Sequence, residues 1–146
     1  MENKEKFMKN ILSFYFASFV LVLGFSIINV AQTSPNDKKF PNVKIGNFGQ
    51  MDERYYRGAQ PNPDDYQTLK DLGVNTVIDL RNDPTDYEKA KVESLGMKYV
   101  NIPMSGWRYP KDKYINEFKR LMNDPETGVM FVHCKAGIHR TGITGA

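Results

Sequence analysis

The stretch HCKAGIHRTG, from His133 to Gly142, concentrates the residue types that do chemistry. It holds the only cysteine of the chain, Cys134, at a C-x-x-G-x-x-R spacing from Gly137 and Arg140. A loop that leads into a helix can turn its backbone N–H groups inward around an anion, and the helix N-terminus adds positive potential. Gly137 permits tight curvature, and the planar guanidinium of Arg140 can bind two oxygens of one oxyanion. The pattern therefore predicts an anion-binding loop.

The same loop is expected to activate the thiol of Cys134. Cysteines at helix N-termini near cations have pKa values lowered from about 8.5 to roughly 3.5–7.5, and the thiolate is the nucleophilic form. An isolated cysteine after an apolar strand is ordinarily buried filler. The accompanying Gly137 and Arg140 favour a nucleophile instead.

The elements before this loop predict an α/β domain. β-prone pieces around Val43–Phe48 and Arg54–Arg57 indicate a small antiparallel entry to a sheet. Two helices follow, with Asn62 and Asp83 as caps and with Gly73 and Gly96 as stops, and a third lies within YPKDKYINEFKRLMNDPETG. They alternate with three strands, VNTVIDLR, MKYVNIP and VMFVHC. This order predicts a central, mainly parallel sheet flanked by helices, with the ligand site beyond the carboxyl ends of the strands.

The loop resembles the phosphate-binding signature of the cysteine-based protein tyrosine phosphatase superfamily. The signature H-C-x-x-G-x-x-R-T is met by His133, Cys134, Gly137, Arg140 and Thr141. YYRGAQP and VIDLR are also similar to the small, dual-specificity phosphatase-like bacterial branch, so the likeness runs from about residue 43 to the end. Only Thr141 to Ala146 follow the loop. We therefore expect a catalytic domain over 43–146 that is truncated after the loop and lacks C-terminal helices that the family would supply.

The resemblance implies hydrolysis of phosphate monoesters on phosphotyrosine or phosphoserine proteins or on inositol phosphates. Cys134 would attack phosphorus, Arg140 would bind the transferring group, Thr141 would help the thiolate leave, and His133 would tune the loop and the thiolate. The expected phosphate-binding residues are Cys134, Lys135, Ala136, Gly137, Ile138, His139 and Arg140. The partner would be a phosphorylated protein or a small phosphorylated molecule, and neither a cofactor nor a metal is implied.

The general acid is the point at which the resemblance fails. The family spacing indicates NIPMSGW, which contains no Asp or Glu. Asp112, in YPKDKY, is the nearest upstream carboxylate on a loop or first helical turn, with stabilisation of the helix N-terminus as its alternative role. Asp124 is expected to cap the turn before the last strand, and Trp107 is interpreted as a packing anchor, with a wall of the substrate site as its alternative role.

Two other functional classes stay open. A rhodanese-type sulfurtransferase also uses a cysteine in an anion-binding loop, although the H-C prefix and the Arg140–Thr141 ending favour a phosphatase. A catalytically silent module that binds phosphorylated ligands would fit the missing acid. Thiosulfate turnover without phosphatase activity indicates the first class, and phosphate binding without product release indicates the second.

The N-terminal segment predicts export or membrane anchoring. Lys4, Lys6 and Lys9 precede the uncharged, mostly apolar stretch from Ile11 to Ala31, which reaches the roughly 20 residues needed to span a bilayer. Residues 1–31 are therefore a signal peptide or an uncleaved membrane anchor, and 32–42 form a linker. Either alternative places the catalytic domain outside the cytoplasm.

Charge and cysteine content exclude further classes. The net charge is +3, and the basic residues alternate with acidic ones without forming a block. Nucleic-acid binding is therefore not expected. A single cysteine cannot form an intramolecular disulfide.

Overall fold

The computed structural model describes residues 39–145. The predicted signal peptide or anchor over 1–31 and most of the 32–42 linker lie outside these residues. Among the helices within 39–145, none is long and apolar enough to cross a membrane.

A five-stranded sheet forms the centre of the described domain, in the order β1-β2-β5-β3-β4. The strands are β1 (Gly49–Gln50), β2 (Tyr55–Gly58), β3 (Thr76–Arg81), β4 (Lys98–Met104) and β5 (Met130–His133). β1 pairs with β2 in antiparallel fashion, and every other pairing is parallel. The α/β class with a mainly parallel sheet is thus confirmed.

The first strand does not lie where the sequence indicated. The predicted piece Val43–Phe48 does not form a strand, although the Gly46 carbonyl accepts from the Ala59 backbone N–H at 2.7 Å, and β1 begins only at Gly49. Asn47 has a positive φ of 52°, so a turn at Gly46 and Asn47 interrupts the extended chain. Phe40 and Phe48 instead pack edge to face, 5.3 Å apart, beside the core.

Four α-helices that lie wholly within residues 39–145 accompany the sheet: α1 (Asp65–Asp71), α2 (Glu88–Ser94), α3 (Asp112–Asn123) and α4 (His139–Thr144). The first three correspond to the predicted helices, and α4 follows the cysteine-containing loop. The predicted strand VMFVHC is confirmed as the central β5, which covers Met130–His133, lies between β2 and β3 and is buried at each of its four residues.

The predicted helix starts need correction. α1 begins at Asp65, after Asn62, whose backbone N–H donates to the Asp65 carboxylate at 2.8 Å. Asp83 does not cap α2, because its carboxylate forms an ion pair with Arg81 at 3.3 Å and the helix begins only at Glu88. The prediction that Gly73 and Gly96 end the first two helices is confirmed, because both follow a helix and have the positive φ values, 85° and 71°, that favour glycine.

Alternate residues of β5 face two separate apolar clusters. Met130 and Val132 pack with Phe118 and Leu121 of α3. Phe131 packs on the opposite face with residues of α1 and α2, including Tyr66, Leu69 and Val92. Helices on both faces hold β5 rigidly, so the loop at its end starts from a fixed point.

Asp124 caps the short 3₁₀ helix Pro125–Thr127 by accepting from the Glu126 backbone N–H at 2.9 Å, as expected.

Candidate active site

The cysteine loop, which we define as residues 134–138, connects β5 to α4 at the carboxyl edge of the parallel strands. Neighbouring segments hold its backbone in place. The Asn47 side chain donates to the Ala136 carbonyl at 2.8 Å, and the Gln60 backbone N–H donates to the Lys135 carbonyl at 3.2 Å. The loop therefore depends on the residues around β2 for its shape.

Gly137 is required at its position in the loop. Its φ is 69°, and a Cβ there would lie 2.4 Å from the Gly58 carbonyl carbon and 2.5 Å from the Ala59 nitrogen. Both atoms belong to the backbone, so they cannot yield as a flexible side chain would. The Gly58–Ala59 backbone, part of YYRGAQP, therefore packs directly against the cysteine loop.

The thiol of Cys134 lies at the floor of the loop with 3% of the residue exposed. Burial alone would raise its pKa, but hydrogen bonding from the Thr141 hydroxyl and from the backbone N–H groups of Thr141, Gly137 and Ile138 outweighs burial. The result is a pKa lowered from 9.0 to about 7. The Sγ atom lies 3.4 Å from the Thr141 Oγ1 atom. The backbone around the sulfur thus favours a negative charge.

Arg140 lies beside the loop and is docked against the ends of two strands. Its Nη1 atom contacts the Leu80 and Met104 carbonyls at 3.4 and 3.2 Å and the Asn82 Oδ1 atom at 3.2 Å. Among the described residues, all hydrogen bonds of this guanidinium use Nη1. Nη2 and Nε therefore stay available for an anion.

His133 lies on the other face of the sheet from Cys134. Its ring stacks on Phe131 at 5.7 Å, and its Nε2 atom lies 2.7 Å from the Glu88 Oε1 atom. Asp79 Oδ1 is farther away, at 3.9 Å. All three polar residues, His133, Glu88 and Asp79, are fully buried.

Glu88 was not singled out in the sequence analysis. A signal was present, because Glu88 stands one helical turn before Val92, on the face that α2 buries. A carboxylate on a buried face needs a polar partner in the core.

The same three residues form the one group within 39–145 that has the donor types of a metal site, with ligand atoms within 4.8 Å of one another. The distances do not fit a metal. Two donors that bind one zinc ion at about 2.1 Å lie roughly 3.4 Å apart in tetrahedral geometry. The His133 Nε2 and Glu88 Oε1 atoms lie closer together, at 2.7 Å, and within residues 39–145 neither atom has a hydrogen-bond partner of suitable geometry.

Asp112 is exposed at the first residue of α3, directly after the loop of residues 105–111. Within the described residues it makes no side-chain hydrogen bond or ion pair, and its role as acid stays a prediction. Lys135, Ala136, Ile138 and His139 form the exposed rim of the site.

The loop of residues 105–111, which we call the aromatic loop, lies over Arg140. A Cβ on Gly106 would be 3.9 Å from the Arg140 Nη2 atom. Trp107 is 97% exposed, so its interpretation as a packing anchor was wrong. A cavity of about 250 Å³ opens at this loop, and its lining includes Asn82, Ser105, Arg108, Tyr109 and Lys111. Because Asn82 also contacts Arg140, the cavity adjoins the cysteine loop site.

The fold and this site define a cysteine-based phosphatase domain, and the family comparison agrees. A family model described as DSP-PTPase phosphatase fused to NAD+ kinase matches residues 35–144. The chain belongs to this family. The resemblance to the dual-specificity-like branch of the tyrosine phosphatase superfamily is thereby confirmed.

Individual relatives extend this result. The chain is 30% identical over 102 residues to the inositol diphosphatase DSP3 of Arabidopsis thaliana, covering 66% of this chain and 50% of that protein. It is 27% identical over 100 residues to the dual specificity protein phosphatase TpbA of Pseudomonas aeruginosa, covering 68% and 44%. The chain thus spans about half the length of the curated relatives it matches.

A solved structure supports the fold. The core catalytic domain of the PP-IP phosphatase SIW14 from S. cerevisiae superimposes with a TM-score of 0.64 at 21% identity, covering 69% of this chain and 63% of that one. The five-stranded sheet and its helices are therefore those of dual-specificity-like phosphatases.

Proposed function

We propose that this protein is a cysteine-dependent phosphatase that hydrolyses phosphate compounds through a phosphocysteine intermediate. The observation that carries the proposal is the Cys134 thiol, whose pKa is lowered to about 7, against the effect of burial, by the Thr141 hydroxyl and by backbone N–H groups that converge on the sulfur. A substrate phosphate in the loop would meet the same N–H groups. Family membership over residues 35–144 supports the reaction class.

The chemistry proceeds in two displacements. The Cys134 thiolate attacks phosphorus, the P–O bond to the leaving group breaks, and the leaving oxygen takes a proton. Water then attacks the phosphocysteine, the P–S bond breaks, and phosphate leaves. Arg140 offers Nη2 and Nε to the phosphoryl oxygens in both steps. The Thr141 hydroxyl, 3.4 Å from the sulfur, stabilises the departing thiolate.

The substrate we favour is a small molecule that carries several phosphates. Arg108 and Lys111 line the cavity beside Arg140, and neither makes a side-chain hydrogen bond or an ion pair with another described residue. They are placed to bind a second phosphate. The similar protein DSP3 is described as an inositol diphosphatase, which agrees with such a substrate.

The leaving group supports the same substrate class. The aromatic loop contains no carboxylate to donate a proton. A phosphomonoester released from a diphosphate has a pKa of about 6, so it leaves without strong protonation. A tyrosine phenolate, with a pKa of about 10, depends more on an acid.

Phosphotyrosine proteins are the second candidate substrate. Trp107 and Tyr109 are 97% and 83% exposed at the rim of the site, where aromatic side chains can contact a protein surface. The similar protein TpbA is described as a dual specificity protein phosphatase. Comparing kcat/KM on a diphosphoinositol phosphate and on a phosphotyrosine peptide separates the two candidates.

The Cys134→Ser variant tests the reaction itself. We expect loss of phosphate release from p-nitrophenyl phosphate with retained phosphate binding, and we expect mass spectrometry of the quenched wild-type enzyme to find a phosphoryl group on Cys134. Turnover in the variant would refute the mechanism. Thiosulfate turnover without phosphatase activity would establish the sulfurtransferase alternative, and wild-type binding without product release would establish the silent module.

A further inference from the structure

We infer that Asn47, which lies outside the cysteine loop, is a positioning residue for the nucleophile: its side-chain amide holds the Ala136–Gly137 peptide so that the Gly137 N–H points at the Cys134 sulfur. The inference rests on the proposed function, because the same N–H would meet the phosphoryl group that Cys134 attacks. Asn47 precedes Ala136 by 89 residues, so the two meet only in the folded chain.

The contact between Asn47 and the cysteine loop is a well-formed hydrogen bond. The Asn47 Nδ2 atom donates to the Ala136 carbonyl oxygen at 2.8 Å, the ordinary length for an amide donor. Within residues 39–145 this carbonyl accepts no other hydrogen bond. The preceding carbonyl, that of Lys135, is held by the Gln60 backbone N–H. Asn47 therefore provides the side chain that fixes the loop at Ala136.

A carbonyl that is held in place also sets the direction of the next N–H group. The peptide unit is planar and trans, so the Ala136 C=O and the Gly137 N–H point in opposite directions within one rigid plane. The carbonyl faces Asn47 on the outside of the loop, and the Gly137 N–H donates to the Cys134 sulfur on the inside. Turning this plane would weaken both hydrogen bonds at once.

The backbone conformation of Asn47 explains why the donor is an asparagine. Its φ of 52° is the one positive value at a non-glycine residue within 39–145, and it lies in the left-handed region. Glycine and asparagine tolerate that region best, but glycine has no side chain that could donate. Longer side chains can donate, but they adopt this backbone conformation less readily. Asparagine combines the backbone tolerance with the donor.

The turn that carries Asn47 is held from both sides. Before it, the Gly46 carbonyl accepts from the Ala59 backbone N–H at 2.7 Å. After it, the Phe48 ring stacks on Phe131 of β5 at 6.2 Å. A donor on a fixed support loses little conformational entropy when it forms its hydrogen bond. Asn47 can therefore hold the loop although the contact itself is exposed to solvent.

The Asn47→Gly variant removes the donor and keeps the left-handed backbone. We expect the released peptide to turn, so that the Gly137 N–H stabilises the thiolate less. The pH dependence of iodoacetamide alkylation measures the thiol pKa without any turnover. In the full-length protein we expect a midpoint near pH 7 for the wild type and a rise on the order of half a unit in Asn47→Gly. An unchanged midpoint overturns the inference.

The other groups around the thiol are unchanged by this substitution. They are the hydroxyl and backbone N–H of Thr141, the backbone N–H of Ile138 and the guanidinium of Arg140 beside the loop. The strands and helix packed against the sulfur add apolar side chains and the Tyr55 phenol. Because glycine adds no charge, a shift of the midpoint reports the change at the Gly137 N–H.

The Asn47→Ala variant separates this role from general damage to the fold. Alanine lacks the same donor but strains the left-handed backbone, so we expect a lower melting temperature than for Asn47→Gly. Both variants should nevertheless have the same alkylation midpoint. A larger midpoint shift in Asn47→Ala would follow the stability instead of the donor and would overturn the inference.

A matched control is available within α3. The Asn123 Nδ2 atom also donates to a backbone carbonyl from an exposed position, that of Lys119 at 2.9 Å. We expect Asn123→Ala to leave the alkylation midpoint at its wild-type value. A rise equal to that of Asn47→Gly would show that loss of any such amide moves the midpoint, and the inference would fail.

The amide protons of the loop report the hydrogen bonds to sulfur one by one. The N–H groups of Gly137, Ile138 and Thr141 all donate to Cys134, so all three proton resonances should shift as the thiol titrates. In Asn47→Gly we expect the shift to fall at Gly137 and to persist at the other two. Equal losses at all three would indicate a general loosening of the loop and would contradict the role of Asn47.

Turnover separates this inference from the proposed function. We expect kcat for p-nitrophenyl phosphate to fall about tenfold in Asn47→Gly, because a misdirected donor costs less than a missing one. Absent phosphatase activity in the wild type, together with the expected alkylation shift, would refute the proposed function and leave the role of Asn47 intact. Wild-type activity without that shift in the variant would do the reverse.

Discussion

The two loops that meet at Arg140 are held in opposite ways. The cysteine loop receives hydrogen bonds from Asn47 and Gln60 and fits against the backbone of Gly58 without room for a Cβ at Gly137. The aromatic loop has local support from Ser105, whose hydroxyl accepts from two backbone N–H groups at 3.2 Å. Its aromatic side chains point into solvent.

This difference indicates that the two loops have different roles in the site. A rigid loop can hold N–H groups in the geometry that any phosphate needs, at no cost of rearrangement during the reaction. An exposed loop meets the part of the substrate that differs between ligands. We therefore expect changes in the cysteine loop region to affect every substrate and changes near the aromatic loop to affect some substrates only.

Among the substitutions near the cysteine loop, we expect Arg140→Lys to cause the largest loss of activity. An ammonium cannot contact the Leu80 and Met104 carbonyls and also bind two phosphoryl oxygens. We expect kcat/KM to fall on the order of 10³-fold for every substrate, as for other arginines that stabilise a transferring phosphoryl group. Arg120→Lys, at an exposed arginine of α3 that pairs with Glu117, is the matched control, and steady-state kinetics on two unrelated substrates measures both. A near-normal rate for Arg140→Lys would show that Nη2 and Nε do not contact the phosphate.

The cysteine loop and the strand before it, which the structure holds rigidly, could also be predicted from the sequence. Gly137 and Arg140 occur at a fixed spacing from Cys134, so one short stretch carried the chemistry. The buried β5 could be predicted because an uninterrupted apolar run has few other places in an α/β domain. Local patterns sufficed wherever the partners were close in sequence.

The rest depended on contacts between distant residues. Helix periodicity indicates that Glu88 lies on the buried face of α2, but it does not reveal that the nearest polar group there is His133 at the end of β5. Asp83 is of a residue type that often caps helices, but its carboxylate forms an ion pair with Arg81 instead. Trp107 has a side chain that is usually buried, yet the chain around Gly106 and Trp107 turns outward over Arg140.

The Asp112→Asn variant tests whether a residue next to the aromatic loop acts as the general acid. Asp112 follows the aromatic loop directly and is the candidate acid. An acid matters in proportion to the pKa of the leaving group, so we expect hydrolysis of an alkyl phosphate to slow by about 10²-fold and that of a diphosphate to be unchanged. Rates on a series of leaving groups provide the measurement, and Asp71→Asn, an exposed carboxylate at the end of α1, is the control. Equal small effects across the series would assign Asp112 to stabilising the start of α3 alone.

Arg108→Ala and Lys111→Ala should have the smallest effects and the most selective ones. Both side chains line the cavity beside Arg140, so each removes one cation that would meet a second phosphate of the substrate. We expect each variant to raise KM for a diphosphoinositol phosphate about tenfold, equivalent to about 1.4 kcal/mol, and to leave kcat/KM for p-nitrophenyl phosphate unchanged. Lys119→Ala, which removes an exposed cation farther along α3, is the matched control. Because p-nitrophenyl phosphate has a single phosphate, equal losses on both substrates would mean that these cations act on the cysteine loop itself, and the division between the two loops would fail.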